Sequence, residues 1–185
     1  MKHIKIKIVL DDGAYMPTRA TDGSIGYDVI GVSAKLITVD NLDVTFTDYT
    51  YLARYVYASG GDGSYKRIRS AFKRVVIDTG IHVQPADGYY VELVPNSRLA
   101  KTGLSYGNSF GVIDPDYTGS IKCVLNISDT ATEEDIESVA PGNVIGQLII
   151  RKKYDAIFEQ VEHLDATQRG DGGFGSTAGK EHPHE

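Results

Sequence analysis

The sequence predicts an all-β protein of sandwich, barrel or jelly-roll type. Apolar residues recur with a period of two, turn residues separate the runs, and no long segment keeps a 3.6-residue period. The first element is a half-buried strand, in which Ile4, Ile6 and Ile8 alternate with Lys5 and Lys7. Between Asn41 and Phe72, Tyr49, Tyr51, Tyr55 and Tyr57 fall on one face of an alternating run. The turn-like Ser59-Gly60-Gly61-Asp62-Gly63 and a basic run from Tyr65 to Arg74 follow, a pattern that predicts a hairpin. Ile68, Phe72 and Val76 also suit a helical face, so both readings stay open there. Further β-branched or aromatic runs cover residues 73–80, 81–84, 89–94 and 120–126, with turns expected at 85–88, 114–116 and 141–143. Residues 129–137 carry five acids and no base, which predicts a solvated loop. The Gly-rich polar end, from Gly170 to Glu185, predicts a mobile tail.

Composition narrows the function classes. The chain has 185 residues and 41% apolar types, enough for one domain with a real core. No apolar run approaches the roughly 18 residues of a membrane span. The start alternates Lys and Ile without a signal-peptide core, so a cytoplasmic protein is expected. A single cysteine, Cys123, excludes an internal disulfide and any cysteine zinc cluster. It alternates with Ile121 and Leu125, as a buried structural thiol would. The net charge of −6 argues against a general nucleic-acid binder, while a polyanionic small molecule still fits if donors are concentrated locally.

Five segments carry the chemistry: Gly26-Tyr27-Asp28-Val29, Pro95 to Ala100, Gly111 to Gly119, Pro141 to Leu148, and Arg169 to Thr177. Taken singly, Gly26-Tyr27-Asp28 reads as a turn, Asp114 as a turn acid before Pro115, and Gln147 as a satisfied polar residue on a strand. In order, from about Gly23 to Thr177, they resemble the five motifs of the trimeric deoxyuridine triphosphatases (dUTPases). That resemblance implies a distorted jelly-roll or β-clip fold over residues 1–177, an inserted hairpin-like segment at about 41–72, and a flexible arm at 165–185 carrying the fifth motif. It also implies hydrolysis of dUTP to dUMP and pyrophosphate by a homotrimer with shared sites. Asp114 would activate the attacking water, and Asp28 would organise the site. Tyr117 would pack under the deoxyribose and reject a 2′-hydroxyl, a steric form of discrimination. Asn108 would read uracil, and Ser97 and Gln147 would contact phosphate oxygens.

The fifth motif has its own logic. Gly173 and Gly175 let backbone N–H groups approach phosphate, Ser176 and Thr177 add hydroxyls, Arg169 supplies a fork, and Phe174 would stack on uracil. Mg2+ is the implied cofactor, held by the triphosphate and waters with no direct protein ligand.

The sequence also departs from the family pattern. The second motif, usually Pro-Arg-Ser-Gly, reads Pro95-Asn96-Ser97-Arg98, and in the fourth Asn143, Val144 and Gly146 replace Asp, Arg and Ala. Two cations are thereby missing, and Arg98, Lys101 or Arg151 are candidates to replace them, with Arg98 the first choice for a phosphate contact. Two rivals remain. A deoxycytidine triphosphate deaminase of the same fold needs an acid on the strand after the third motif, where this chain has Val124. A phage-type dUTPase that also regulates through a protein partner would use residues 41–72, where Tyr and Arg are favoured interface residues. A virus-encoded protein would act in the host cytoplasm or nucleus.

Overall fold

A computed structural model describes residues 3–38, 43–46, 57–59, 65–67 and 72–172. The chain divides into two units, Met1–Tyr154 and Asp155–Glu185. The first unit holds thirteen described strands, all paired antiparallel. The all-β expectation is met.

One sheet has five strands. In order these are β10 (Leu104–Tyr106), β12 (Lys122–Ile127), β7 (Phe72–Asp78), β3 (Ser33–Thr38) and β4 (Asp43–Phe46). The second has four: β11 (Gly111–Ile113), β9 (Tyr89–Val94), β13 (Val144–Lys152) and β2 (Tyr27–Ile30). A two-stranded ribbon pairs β1 (Ile6–Leu10) with β8 (Ile81–Pro85). Another pairs β5 (Tyr57–Ser59) with β6 (Tyr65–Arg67), in the stretch where the sequence predicts a hairpin. The stripe residues Tyr49, Tyr51 and Tyr55, and the Gly-rich turn, lie outside the described residues.

Alternation of burial explains the strands. On β12, Cys123, Leu125 and Ile127 are buried, whereas Lys122 is exposed and Val124 and Asn126 are half-buried. A single apolar cluster joins Val75, Ile77, Cys123 and Leu125 of the five-stranded sheet to Val29, Val91, Leu93 and Leu148 of the four-stranded one. Each fully buried Ile or Leu contributes about 1.5–3 kcal/mol of transfer free energy, which sets the two sheets around one core. Burial also pushes the Cys123 thiol up to about 12, so it packs as an apolar group.

The acidic stretch departs from the expected loop. Residues Glu133–Glu137 form a short helix, α1, opened by a capping box. Thr132 Oγ1 accepts from Asp135 N at 3.1 Å, and Asp135 Oδ2 accepts from Thr132 N at 2.8 Å. Three acids in its first turn suit the positive end of the helix, and Ile136 is buried in the core. Charge counting misses this because one apolar residue and one cap outweigh five solvated acids.

The second unit is described over residues 155–172. These residues form no helix or strand, and Ile157, Phe158 and Leu164 are exposed at 98%, 95% and 89%.

Candidate active site

The register of the four-stranded sheet gathers the motifs. Asp28 on β2 faces Gln147 on β13, and Gln147 faces Val94 on β9. The first and fourth motifs are therefore cross-strand partners, and the second motif begins one residue beyond Val94, at Pro95. Gln147 Nε2 donates to Asp28 Oδ1 at 2.7 Å, a charge-assisted bond in a half-buried setting. The local sequence makes room for it. A Cβ on Gly26 would stand 2.6 Å from Gln147 Oε1 and 2.9 Å from its Cβ, so only glycine lets the amide lie there.

The second motif leaves β9 through a turn that runs into a 3-10 segment, Leu99–Lys101. Asn96, where the resembled motif has arginine, accepts from Leu99 N with its side-chain oxygen at 3.2 Å and so caps the turn. Ser97 is exposed at its tip. Arg98 Nη2 donates to the carbonyls of Ser138 at 3.2 Å and Val144 at 2.8 Å, tying the second motif to the fourth. Arg151 Nε donates to Glu92 Oε2 at 2.8 Å, and Tyr90 donates to Glu92 Oε1 at 2.8 Å. The Arg151 guanidinium, against the cost of burial, holds the Glu92 carboxyl below the usual carboxylate range. Two of the three candidate replacement cations are thus engaged within the fold, and Lys101 is exposed.

The third motif begins one residue from this row and runs away from it along β11. β11 runs antiparallel to β9, so Gly111 faces Leu93 and Ile113 faces Val91. Asp114 follows Ile113 and comes level with Tyr90, which is four residues from the Val94 row. With about 3.3 Å per residue and three inter-strand steps of about 4.8 Å, Asp114 and Asp28 are roughly 20 Å apart. Asp114 and Tyr117 themselves share a tight turn: Tyr117 N donates to Asp114 O at 3.0 Å, and both side chains are exposed. Tyr117 Oη donates to Ser120 O at 3.0 Å. Asn108 precedes Ser109, whose φ of 58° is the one positive value among described non-glycine residues. One chain therefore gathers Asp28, Gln147 and the second motif, and separately holds Asp114 and Tyr117 in one turn, with Asn108 beside Gly111 at the start of β11.

Arg169 Nε donates to Gly172 O at 2.8 Å within the second unit. Gly173, Phe174, Gly175, Ser176 and Thr177 lie outside the described residues.

Three polar groups around the motifs carried no signal in the sequence. Asp78 accepts from Gly80 N at 3.0 Å and from the Ser120 hydroxyl, and Lys122 Nζ lies 3.2 Å from its other oxygen. Burial alone would raise the Asp78 carboxyl, but these donors outweigh it and hold it low. His82 bridges Thr118 and Asp11. Tyr106, buried on β10, donates to Ile145 O at 3.0 Å, and burial pushes its hydroxyl up, so it stays a donor. Strand alternation predicts which face each occupies and says nothing about the partner.

Comparison with known proteins identifies the family. The family model described as dUTPase matches residues 64–178. The deoxyuridine 5′-triphosphate nucleotidohydrolase of Fusobacterium nucleatum is 30% identical over 179 residues, covering 96% of this chain and 99% of that protein. The protein of the same name from Finegoldia magna is 32% identical over 176 residues, covering 94% and 99%. Among solved structures, the Staphylococcus bacteriophage 80alpha dUTPase with dUPNHPP superposes with a TM-score of 0.63 at 19% identity, covering 93% and 97%. The dUTPase of S. aureus phage phi11, described with a species-specific insert, gives 0.56 at 17%, covering 88% and 99%. The structural matches show the shared fold. Sequence match over nearly the full length, together with the paired first and fourth motifs, places this chain in the dUTPase family.

Proposed function

We propose that this protein hydrolyses dUTP to dUMP and pyrophosphate, in a homotrimer whose sites are each built by more than one chain. The carrying observation is the register of the four-stranded sheet. A nucleoside triphosphate has its sugar within a few ångströms of its α-phosphorus, on the order of bonded-atom spacings, whereas a single chain holds the Asp114–Tyr117 turn roughly 20 Å from the Asp28–Gln147 row. A neighbour's turn must therefore meet this chain's phosphate row. The bare apolar side chains of Ile157, Phe158 and Leu164 support the same reading, because such exposure marks a surface meant for contact.

In the assembled site Asn108 reads uracil and Tyr117 supports the deoxyribose. Ser97 and Gln147 orient phosphate oxygens, and Arg169 adds a guanidinium fork. The Asp114 carboxylate takes a proton from a water, whose oxygen bonds to the α-phosphorus as the bond to the leaving pyrophosphate breaks in line. Asp28 fits a metal-bearing substrate: Gln147 uses Oδ1, and among the described residues nothing bonds Oδ2, which is left for a metal-bound water. When bound to the triphosphate, Mg2+ supplies charge neutralisation and fixes the phosphate shape. Every other task falls to positioning and preorganised donors. A deaminase reading needs an acid where this chain has Val124, whose carbonyl accepts from Gly107 N at 2.8 Å.

The test is pyrophosphate and dUMP release from dUTP with Mg2+, comparing wild type with Asp114→Asn. Loss of the base should slow turnover by about 10²–10⁴-fold. Equal turnover in the variant, or none in pure wild type, would overturn the assignment.

A further inference from the structure

His82 lies on the outer side of β8, away from both motif clusters in sequence. Its Nδ1 is 2.8 Å from the carbonyl oxygen of Thr118, and its Nε2 is 3.2 Å from both oxygens of Asp11. Thr118 is the residue after Tyr117, and Asp11 closes β1, where its N–H donates to Gly80 O at 2.9 Å. The imidazole thus straps the far side of the third-motif turn to the β1–β8 ribbon. Both of its partners are acceptors only, so each ring nitrogen must carry a hydrogen for both bonds to exist. A neutral imidazole has one N–H and can make one of them.

We propose that His82 is a positioning residue whose imidazolium form holds the Asp114–Tyr117 turn, so that its protonation sets how tightly dUTP is bound and how well UTP is rejected. The inference rests on the dUTP reading above. Four features make the turn dependent on the strap. The bonds Tyr117 N to Asp114 O and Tyr117 Oη to Ser120 O lie within the turn and its base, and reach the sheet only through the Ser120 hydroxyl, which donates to Asp78 of β7. Ile121 is anchored, donating to Ile81 O at 2.9 Å and accepting from Thr79 N at 3.1 Å, but it is four residues beyond Tyr117. At Thr118, His82 is the external partner among the described residues. The charges facing the ring are Asp11 from the end of β1 and Asp78 from β7, the latter paired with Lys122 of β12 at 3.2 Å.

The surroundings favour the charged ring. The Thr118 carbonyl, then Asp11, raise the His82 pKa above its ordinary 6.5 against a small cost of burial. The sign follows: the two-bond strap is complete below pH 6.5, and one of its two bonds is lost as pH rises through the higher folded-state value. Because the ring is a quarter exposed, solvent screening keeps the effect modest.

The test compares wild type, His82→Ala and His82→Gln in dUTP and UTP turnover from pH 6 to pH 9. The terminal phosphate of the substrate titrates in the same range, so the readout is the difference between wild type and variant. In wild type, KM for dUTP should rise about threefold to tenfold more than in His82→Ala across this window, while kcat moves less. The preference for dUTP over UTP should fall in step. His82→Gln, which keeps one donor at every pH, should lose the pH step yet bind dUTP better than His82→Ala. An NMR titration of the His82 ring, in wild type and Asp11→Asn, reads the strap without turnover: Asp11→Asn should lower the midpoint. Parallel KM profiles in wild type and His82→Ala, or a midpoint indifferent to Asp11, would overturn the inference. Absence of dUTP turnover in wild type would instead count against the enzymatic reading.

Discussion

Ala at position 146 would return the fourth motif towards its usual form, and in this chain it should weaken the protein. A Cβ on Gly146 would stand 2.0 Å from Tyr106 Oη and 2.7 Å from Val94 O, where real Cβ atoms keep at least 3.0 Å. The hydroxyl must retreat by about 1 Å from a site where only 7% of Tyr106 is exposed, which overpacks the core. It then loses its bonds to Ile145 O and Val94 O. Overpacking and one lost bond together cost about 1.5–4.5 kcal/mol. For a chain of this length that is a fall in Tm on the order of 3–18 °C. The structure further predicts a reversal of sign. Tyr106→Phe should destabilise the wild type, where the hydroxyl is bonded, but stabilise Gly146→Ala, where it is the obstacle. Thermal unfolding of all four proteins, at one protein concentration so that assembly is held fixed, measures the coupling. If Gly146→Ala melts within about 1 °C of wild type, or Tyr106→Phe has the same effect in both backgrounds, the packing argument fails.

Two other outcomes follow from the site and its support. Gly26→Ala should push the Gln147 amide off Asp28 and lower kcat/KM for dUTP by about tenfold or more, with Gln147→Ala adding little in the double variant. Asp78, held below the ordinary carboxylate range, contributes stability that is present above about pH 4 and lost as pH falls through its folded-state value. Thermal scans should therefore show the gap between wild type and Asp78→Asn narrowing from pH 6 towards pH 3; a gap constant with pH would mean the Ser120 and Lys122 contacts do not act through its charge.

The strands and the motif positions were legible because both are local. Period-two alternation on β8 and β12 needs only neighbouring residues, and Asp114-Pro115-Asp116 announces its own turn. What stayed hidden depends on partners far apart in sequence. Arg98 reads as a free cation until Ser138 and Val144 are placed beside it, and Asn96 reads as a lost charge until it is seen to cap a turn. The acidic stretch reads as a loop because the burial of Ile136 comes from the core it meets, not from its own neighbours. Tyr106 and Gly146 show the same limit. Gly146 looks like an isolated departure, and only its contact with the Tyr106 hydroxyl shows why no Cβ stands there.

The split of the motifs between the two ends of one sheet has a genetic consequence. If the base of one site rides on a neighbour's chain, a damaged third motif leaves its own chain's phosphate row sound and disables the adjoining one. Two inactive alleles, one broken at Asp114 and one at Gln147, would then restore each other in mixed trimers: where the sound end of each meets, a complete site re-forms. Selection on either end of the sheet is accordingly selection on the population of chains rather than on the single chain that carries the change.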